Sequence, residues 1–530
     1  MINSSLVKAI KSAYQAGEED ENLDPIVAVD KNNHPLGRIK KGDSVIFYDI
    51  RGEREIELTR ALTERNFKHF PVVPDLDLRF VTMIEYHPSL KAKVAFPSPG
   101  EIKNTLTEVV TKSGLKVLKI AESEKAVHVG FFMNGKNNKI FPGEERIIID
   151  SPSGIPTYNL QPEMSAKEVA VSLSLKIKDP SYSLIIANFA NVDVVGHTGD
   201  RQAVLKAVET VDFQLGKVIE ACRQEGVTLI VTSDHGTVEE WFYEDGSINT
   251  GHTKNPVPFI LADYANFGSK KWLLRKRGEL ADVAPTVINL LNLNQPSEIT
   301  GKTLLLNSQE EAHTQRRVVL LILDGWGLKE KGPGNLLYVA RTPYFDKLWS
   351  EFPHCQLQAS GEAVGMPAHT VGNSEAGHLH LGAGRRVFLD RVRIDKAIED
   401  GLFFQNTAFL WAMEGAKKEK KSLHLLGIVS HYSSHGTIKH LYQLLRLAQQ
   451  IGINKVFVHA LIGRRGEKPE SGAVYVNKVE QMCRELTVGQ VVTVMGRFWA
   501  LDREENWDRV EKAYRALVLG EGKKVPVKDF

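Results

Sequence analysis

The chain has 530 residues, of which 42% are hydrophobic and 25% charged, with a formal net charge of +2. That composition excludes a disordered or fibrous polymer and is enough for two large domains or three small ones. A balance so close to neutral sets up no long-range field toward nucleic acid or an anionic membrane.

The first twenty residues are polar and acidic, unlike a signal or transit peptide. No apolar run approaches the roughly 20 residues of a spanning helix. Three scattered cysteines, Cys222, Cys355 and Cys483, have no disulfide or metal spacing. The expectation is a cytoplasmic protein. In chain order, residues 182–190 predict a buried strand, short, apolar and rich in β-branched side chains. Residues 201–224 predict a helix, because Val204, Val208, Val211, Leu215, Val218 and Cys222 recur at steps of three and four. Strands follow over 227–232, 257–262 and 317–323, and amphipathic helices over 438–450 and 505–517. Residues 307–316 read as a polar connector and 520–530 as a weakly structured tail. Strands alternating with helices predict an α/β fold with largely parallel sheets.

Three of these strands end in an aspartate. The first runs into Asp193 and His197, the second into Asp234 and His235, the fourth into Asp324. His252 lies just before the strand at 257. Ligands of open α/β sheets bind beyond the carboxyl ends of the strands, so one edge could collect all of these groups. Each aspartate alone reads as a turn former or helix cap. Together with imidazoles they suit Zn²⁺, Mn²⁺ or Fe²⁺ better than Mg²⁺ or Ca²⁺. A pair of divalent ions would neutralise the carboxylates and clamp the oxygens of a phosphoryl transfer. Ser374, in the stretch 371–384, reads by spacing alone as the start of a capped helix. Its other reading is a nucleophile at a helix N-terminus that also holds a phosphate.

The segments Leu323–Gly327 (LDGWG), Gly372–His378 (GNSEAGH), Asn188–Gly199, Asp234–Gly236 and His252–Pro258 resemble the metal and serine motifs of cofactor-independent phosphoglycerate mutases. Phe141–Arg146, Leu160–Met164, Ala121–Lys125 and Met495–Arg497 extend the resemblance over almost the whole chain. It implies an alkaline-phosphatase-like, three-layer metal-binding domain plus a second α/β transferase domain. The order differs from the family's, in which the DGWG-like strand comes first and the DHG-like strand near the end. The implied arrangement is circularly permuted: a continuous metal-binding domain over 98–391, and a transferase domain split between 1–97 and 392–530.

The resemblance also implies roles. Asp193, His197 and His252 would hold one metal ion; Asp324, Ser374, Asp234 and His235 would hold the other. Manganese is the first expectation, with zinc, cobalt or iron as alternatives, and no bisphosphoglycerate is needed. Ser374 would accept the phosphoryl group. Arg497, Arg503, Arg51, Arg54, Arg465 and Lys125 would grip a small phosphorylated substrate, with His435 near the reacting groups. The family tends to be monomeric. The chain departs from the family around the substrate: Ile462–Glu467 (IGRRGE) lacks both aspartates of a DGRD-like segment, one of which is expected to move a proton, a place Glu467 could take after a one-residue shift. Ser430–Ser434 lacks a Gly-rich stretch with an aspartate, Pro367–Thr370 lacks an Asp-Gly, and Thr237 stands for asparagine. Those departures keep open a phosphatase or mutase of another metabolite, and a metal-binding homologue without catalysis.

Overall fold

The computed structural model describes residues 4–98, 100–265, 272–307, 316–431, 433, 435–463 and 470–527. The chain divides into two compact units, one formed by residues 1–98 with 393–530 and the other by residues 99–392. Strands β1 (Ile26–Val29), β2 (Ser44–Phe47), β3 (Arg79–Ile84) and β4 (Lys93–Phe96) come first. Then follow β5 (Lys116–Glu122), β6 (Glu144–Ile149), β7 (Tyr182–Phe189), β8 (Thr228–Thr232), β9 (Val257–Asp263), β10 (Arg277–Glu279), β11 (Val318–Leu323) and β12 (His354–Gln358). The last are β13 (Leu423–Ile428), β14 (Val456–Ile462), β15 (Gln490–Gly496) and β16 (Lys523–Pro526).

Residues 99–392 carry the sheet β10-β12-β9-β8-β11-β7-β5-β6. From β8 through β6 neighbouring strands are parallel; β9 runs antiparallel to both β8 and β12. Its central strands are apolar on both faces, and the alternation shows in the packing. Val319, Leu321 and Leu323 of β11 join one core, with the helices Ala166–Ile177 and Arg201–Gln224. Val318, Leu320 and Ile322 join another, with Leu106–Lys112 and Val283–Leu290. Helices on both faces make three layers, which is why these strands read as continuous hydrophobic runs. The helix Arg201–Gln224 is capped by the Asp200 carboxylate, which accepts from Gln202 N and Ala203 N, and its predicted stripe is buried.

The other unit carries β16-β1-β15-β14-β13-β2-β3-β4. All neighbours are parallel except β1 against β15. One apolar core spans it, drawing on both ends of the chain, from Leu6 and Ile26 to Val458 and Leu517. One expectation is corrected here: the weakly structured tail contains a regular strand, since Lys523–Pro526 pairs in parallel with Ile26–Val29 as the edge strand, while residues 528–530 lie outside the described residues. Its polar composition suits a solvent-facing edge, where proline is tolerated. Of the connector at 307–316, residues 308–315 lie outside the described residues.

Candidate functional site

Parallel pairing brings β8, β11 and β7 to one edge. Ile322 lies beside both Asn188 and Thr232, so the residues after these strands emerge together. Asp324 follows β11 directly, Asp234 comes two residues after β8, and Asp193 lies on the short helix Asn191–Gly196 after β7. Because β9 is antiparallel, its N-terminal end lies at the same edge, and the loop before it delivers His252. Close approach of the loops depends on glycine. Gly325 has φ +82°, and a Cβ there would lie 2.8 Å from Asp193 N. A Cβ on Gly377 would lie 2.5 Å from the Asp234 carbonyl.

Ser374 opens the helix Ser374–Ala383, capped by Asn373, whose side chain accepts from Ala376 N. Its Oγ lies 3.0 Å from His235 Nε2, 3.3 Å from Asp324 Oδ1 and 2.8 Å from the Lys125 ammonium. Lys125 also donates to Asp193 Oδ2 and Asp324 Oδ1, both at 2.7 Å. Thus Asp193, His197, His252, Asp234, His235, Asp324 and Ser374 gather in residues 99–392. Lys125, grouped with the arginines by the sequence resemblance, sits among these carboxylates.

The donor chemistry suits cations. His197 Nδ1 donates to Thr250 O at 2.7 Å and His252 Nδ1 to Gly372 O at 2.9 Å. Each Nε2 is then left with its lone pair. These two nitrogens lie 3.2 Å apart, and each is 3.2 Å from Asp193 Oδ1. Three acceptors converging on one point fit a divalent ion whose histidines are oriented by backbone carbonyls. Beside them, Asp193, His235 and Asp324 offer a second convergent set, and Asp234, Asp324 and His378 a third. Asp234 Oδ2 is buried with His378 Nδ1 3.2 Å away, though not in hydrogen-bonding geometry.

Electrostatics agree with that crowding. Burial opposes the charge on Lys125, but Asp324, Asp193 and Asp234 together hold its ammonium well above the usual lysine range. Burial and the neighbouring Asp234 raise the Asp324 carboxyl. Asp234 is held well below the carboxylate range: burial opposes its ionisation, and His235 and His378 outweigh it.

Several supports carry no role in the sequence reading, although His378 and Asn188 stand within its motifs and Thr237 among its departures. His378 lies one helical turn after Ser374, with Nδ1 2.9 Å from the Ser374 carbonyl and Nε2 3.0 Å from Asn188 Nδ2. The i, i+4 spacing on one helix was its available signal. Asn188 also donates to Asp324 Oδ2 at 2.8 Å. Buried Glu239 ties the loops together, accepting from Thr237 N, Asn255 Nδ2 and the Thr253 hydroxyl. Thr237 donates to Asp193 Oδ1 at 3.3 Å.

The other unit has its own cluster, also at strand ends. Arg51 and Arg54 follow β2, His435 follows β13, and Arg497 and Arg503 follow β15. Arg465, after β14, lies outside the described residues, as does Glu467. Arg51 pairs with Glu53, which Arg503 reaches at 3.3 Å. Arg497 donates to Glu21 at 2.8 Å and Arg54 to Leu501 O at 3.1 Å. Burial lowers the Arg54 guanidinium, and the charges of Arg503 and Arg497 lower it further. The His435 Nδ1 lies 2.7 Å from buried Glu55. The charges of Arg497, Arg51 and Arg54 all act on His435, and guanidinium groups are chemically suited to carboxylate and phosphate.

A family model described as "Metalloenzyme superfamily" matches residues 18–295, and one described as "BPG-independent PGAM N-terminus (iPGM_N)" matches residues 394–529. Among curated proteins, a 2,3-bisphosphoglycerate-independent phosphoglycerate mutase of Moorella thermoacetica is 42% identical over 304 residues, 57% of this chain and 58% of that one. Its counterpart in Clostridium botulinum is 43% identical over the same shares. The chain spans a little over half the length of the curated relatives it matches. A solved Leishmania mexicana phosphoglycerate mutase, crystallised at low cobalt concentration, matches at TM-score 0.37 and 29% identity, covering 52% of this chain and 53% of that one.

Proposed function

The chain belongs to the metalloenzyme superfamily, and on that premise we propose that it interconverts 2-phosphoglycerate and 3-phosphoglycerate through a phosphoserine at Ser374. One observation carries the reading most directly. The Ser374 hydroxyl, at a helix N-terminus, lies within 3.3 Å of His235, Asp324 and Lys125 in a pocket of buried carboxylates. We assign Asp193, His197 and His252 to one divalent ion, and Asp324, Asp234, His235 and Ser374 to a second. Manganese is our first choice, ahead of zinc, cobalt and iron. When bound, such ions lower the pKa of a coordinated hydroxyl and offset charge on the phosphoryl oxygens.

The chain's own groups do the rest. Ser374 attacks the phosphorus in line, and the free N–H groups of its helix face the phosphoryl oxygens. The Lys125 ammonium orients the serine oxygen. Arg51, Arg54, Arg497, Arg503 and Arg465 hold the glycerate as it reorients, and the phosphoryl group passes to its other hydroxyl. No bisphosphoglycerate takes part, and the enzyme works as a cytoplasmic monomer.

The order of matches supports a permuted chain, since the model described as an N-terminus matches downstream of the metalloenzyme match. The test is an assay of 3-phosphoglycerate with Mn²⁺ that follows isomer and free phosphate together. Isomer should form without bisphosphoglycerate, stop on chelation, and vanish in Ser374→Ala. Full mutase activity in Ser374→Ala sinks the proposal, and free phosphate without isomer makes the protein a phosphatase.

A further inference from the structure

Behind His435 lies a group of buried acids that the mechanism above does not use. Asp49 and Glu55 are both fully buried. Asp49 sits two residues beyond β2, and Glu55 immediately precedes the helix Ile56–Thr63. Asp49 Oδ1 accepts from Ile428 N at 2.7 Å, while no donor reaches its Oδ2. Glu55 Oε2 accepts from Arg54 N at 3.1 Å, and its Oε1 meets His435 Nδ1 at 2.7 Å. Ligand atoms of Asp49, Glu55 and His435 all lie within 4.8 Å of one another.

Two dry carboxyl groups that face each other cannot both be ionised, so either a proton or a cation must lie between them. The surroundings decide which. The charges of Arg497, Arg51 and Arg54 act on His435, and that of Arg51 acts on Glu55. A divalent ion would add two positive charges to this field, whereas a shared proton adds one and leaves the pair a negative charge that the arginines offset. Among the described residues, the buried phenols Tyr86 and Tyr48 also face the pair. Tyr86 spends its hydroxyl on the Asp49 and Phe47 carbonyls.

We propose that Asp49, Glu55 and His435 form a proton relay, in which a proton held between the two carboxyl groups reaches the glycerate oxygens through the His435 imidazole. The idea rests on the phosphoglycerate reading above. The step balances. Ser374 enters the step ionised, its hydroxyl proton already released to solvent; as the P–O bond to the substrate breaks and the Ser374 oxygen takes the phosphoryl group, the departing glycerate oxygen takes a proton from one imidazole nitrogen. The other nitrogen takes one from Glu55. When the second hydroxyl attacks the phosphoserine, its proton returns along the same path and the Ser374 O–P bond breaks. A relay here would also do the work for which IGRRGE, at 462–467, lacks the expected aspartates. Burial pushes Glu55 up to about 8 and His435 down to about 4, so the acid holds its proton and the imidazole stays neutral at rest.

The test uses the full chain with Mn²⁺ and 3-phosphoglycerate. Glu55→Gln keeps the side-chain shape and should lower kcat by about 10²–10⁴-fold with KM little changed, the scale of lost acid–base catalysis. It should also remove the near-neutral ionisation from the kcat pH profile. Infrared spectra of the unaltered protein at pH 7 should show a protonated-carboxyl band that loses intensity in Glu55→Gln. Asp49→Asn carries the same comparison should Glu55→Gln fail to fold. Unchanged kcat and pH profile in Glu55→Gln, or no such band, overturns the relay. So does a tightly bound divalent ion lost only in Glu55→Gln. An unaltered protein that shows the band but forms no isomer fails the mutase reading instead, with the held proton intact.

Discussion

At the scale of single residues, the cluster at the ends of β7, β8 and β11 is held by groups that never need to touch a substrate. Glu239 is the clearest case. Its buried carboxylate satisfies donors on both the Asp234–Glu239 loop and the loop that carries His252. Glu239→Ala should leave those donors unpaired, at about 1–3 kcal/mol for each buried group. It should also weaken Mn²⁺ binding by roughly 10–100-fold, the usual effect of removing an outer support. Calorimetric Mn²⁺ titration of the variant checks this, and unchanged affinity would deny the support. Glu55 gives a pH-dependent expectation. Its folded carboxyl keeps a proton to about 8, against 4.5 ordinarily. The folded state therefore binds more protons between those values, and stability contributed by the bound proton is lost as pH rises from about 4.5 to about 8. Urea midpoints across that range should fall with pH, less steeply in Glu55→Gln.

At the scale of elements, the site depends on how closely one helix approaches one loop. The helix Ser374–Ala383 sets Ser374 against the Asp234 loop, and Gly377 is the contact, with no room for a Cβ beside the Asp234 carbonyl. Gly377→Ala would improve helix propensity, yet should destabilise the protein by about 1–3 kcal/mol through overpacking. Because the helix must shift, Ser374 should move from the carboxylates and kcat should fall by more than stability suggests. A thermal melt beside a kcat measurement separates the effects; normal values for both would show that the approach is looser than its distances. The antiparallel turn of β9 matters in the same way. It places His252, which precedes its strand, with aspartates that follow theirs.

At the scale of the whole molecule, each unit has its own core: one cluster for residues 1–98 with 393–530, and two on opposite sheet faces for residues 99–392. Separate cores predict two unfolding transitions in calorimetry. The proposed metal ligands all lie in residues 99–392, so saturating Mn²⁺ should raise that transition alone, by about 2.7 kcal/mol at a hundredfold excess over Kd. A rise in both transitions together would mean that the units unfold as one.

Local pattern alone determined the helix at 201–224, the strands at 182, 227, 257 and 317, and the three strand-end aspartates. Each rests on side-chain periodicity or on a residue's place next to a strand, and burial of an apolar stripe enforces both. What only the tertiary structure decided were contacts between residues far apart in sequence: Lys125 among the carboxylates, His378 behind Ser374, Glu239 across two loops, and Asp49 facing Glu55. Near the C-terminus, the polar stretch at 523–526 became a strand because β1 offered it an open edge. No local preference encodes such pairings, since strand order and direction choose which loops meet, and those come from the packing of the whole sheet.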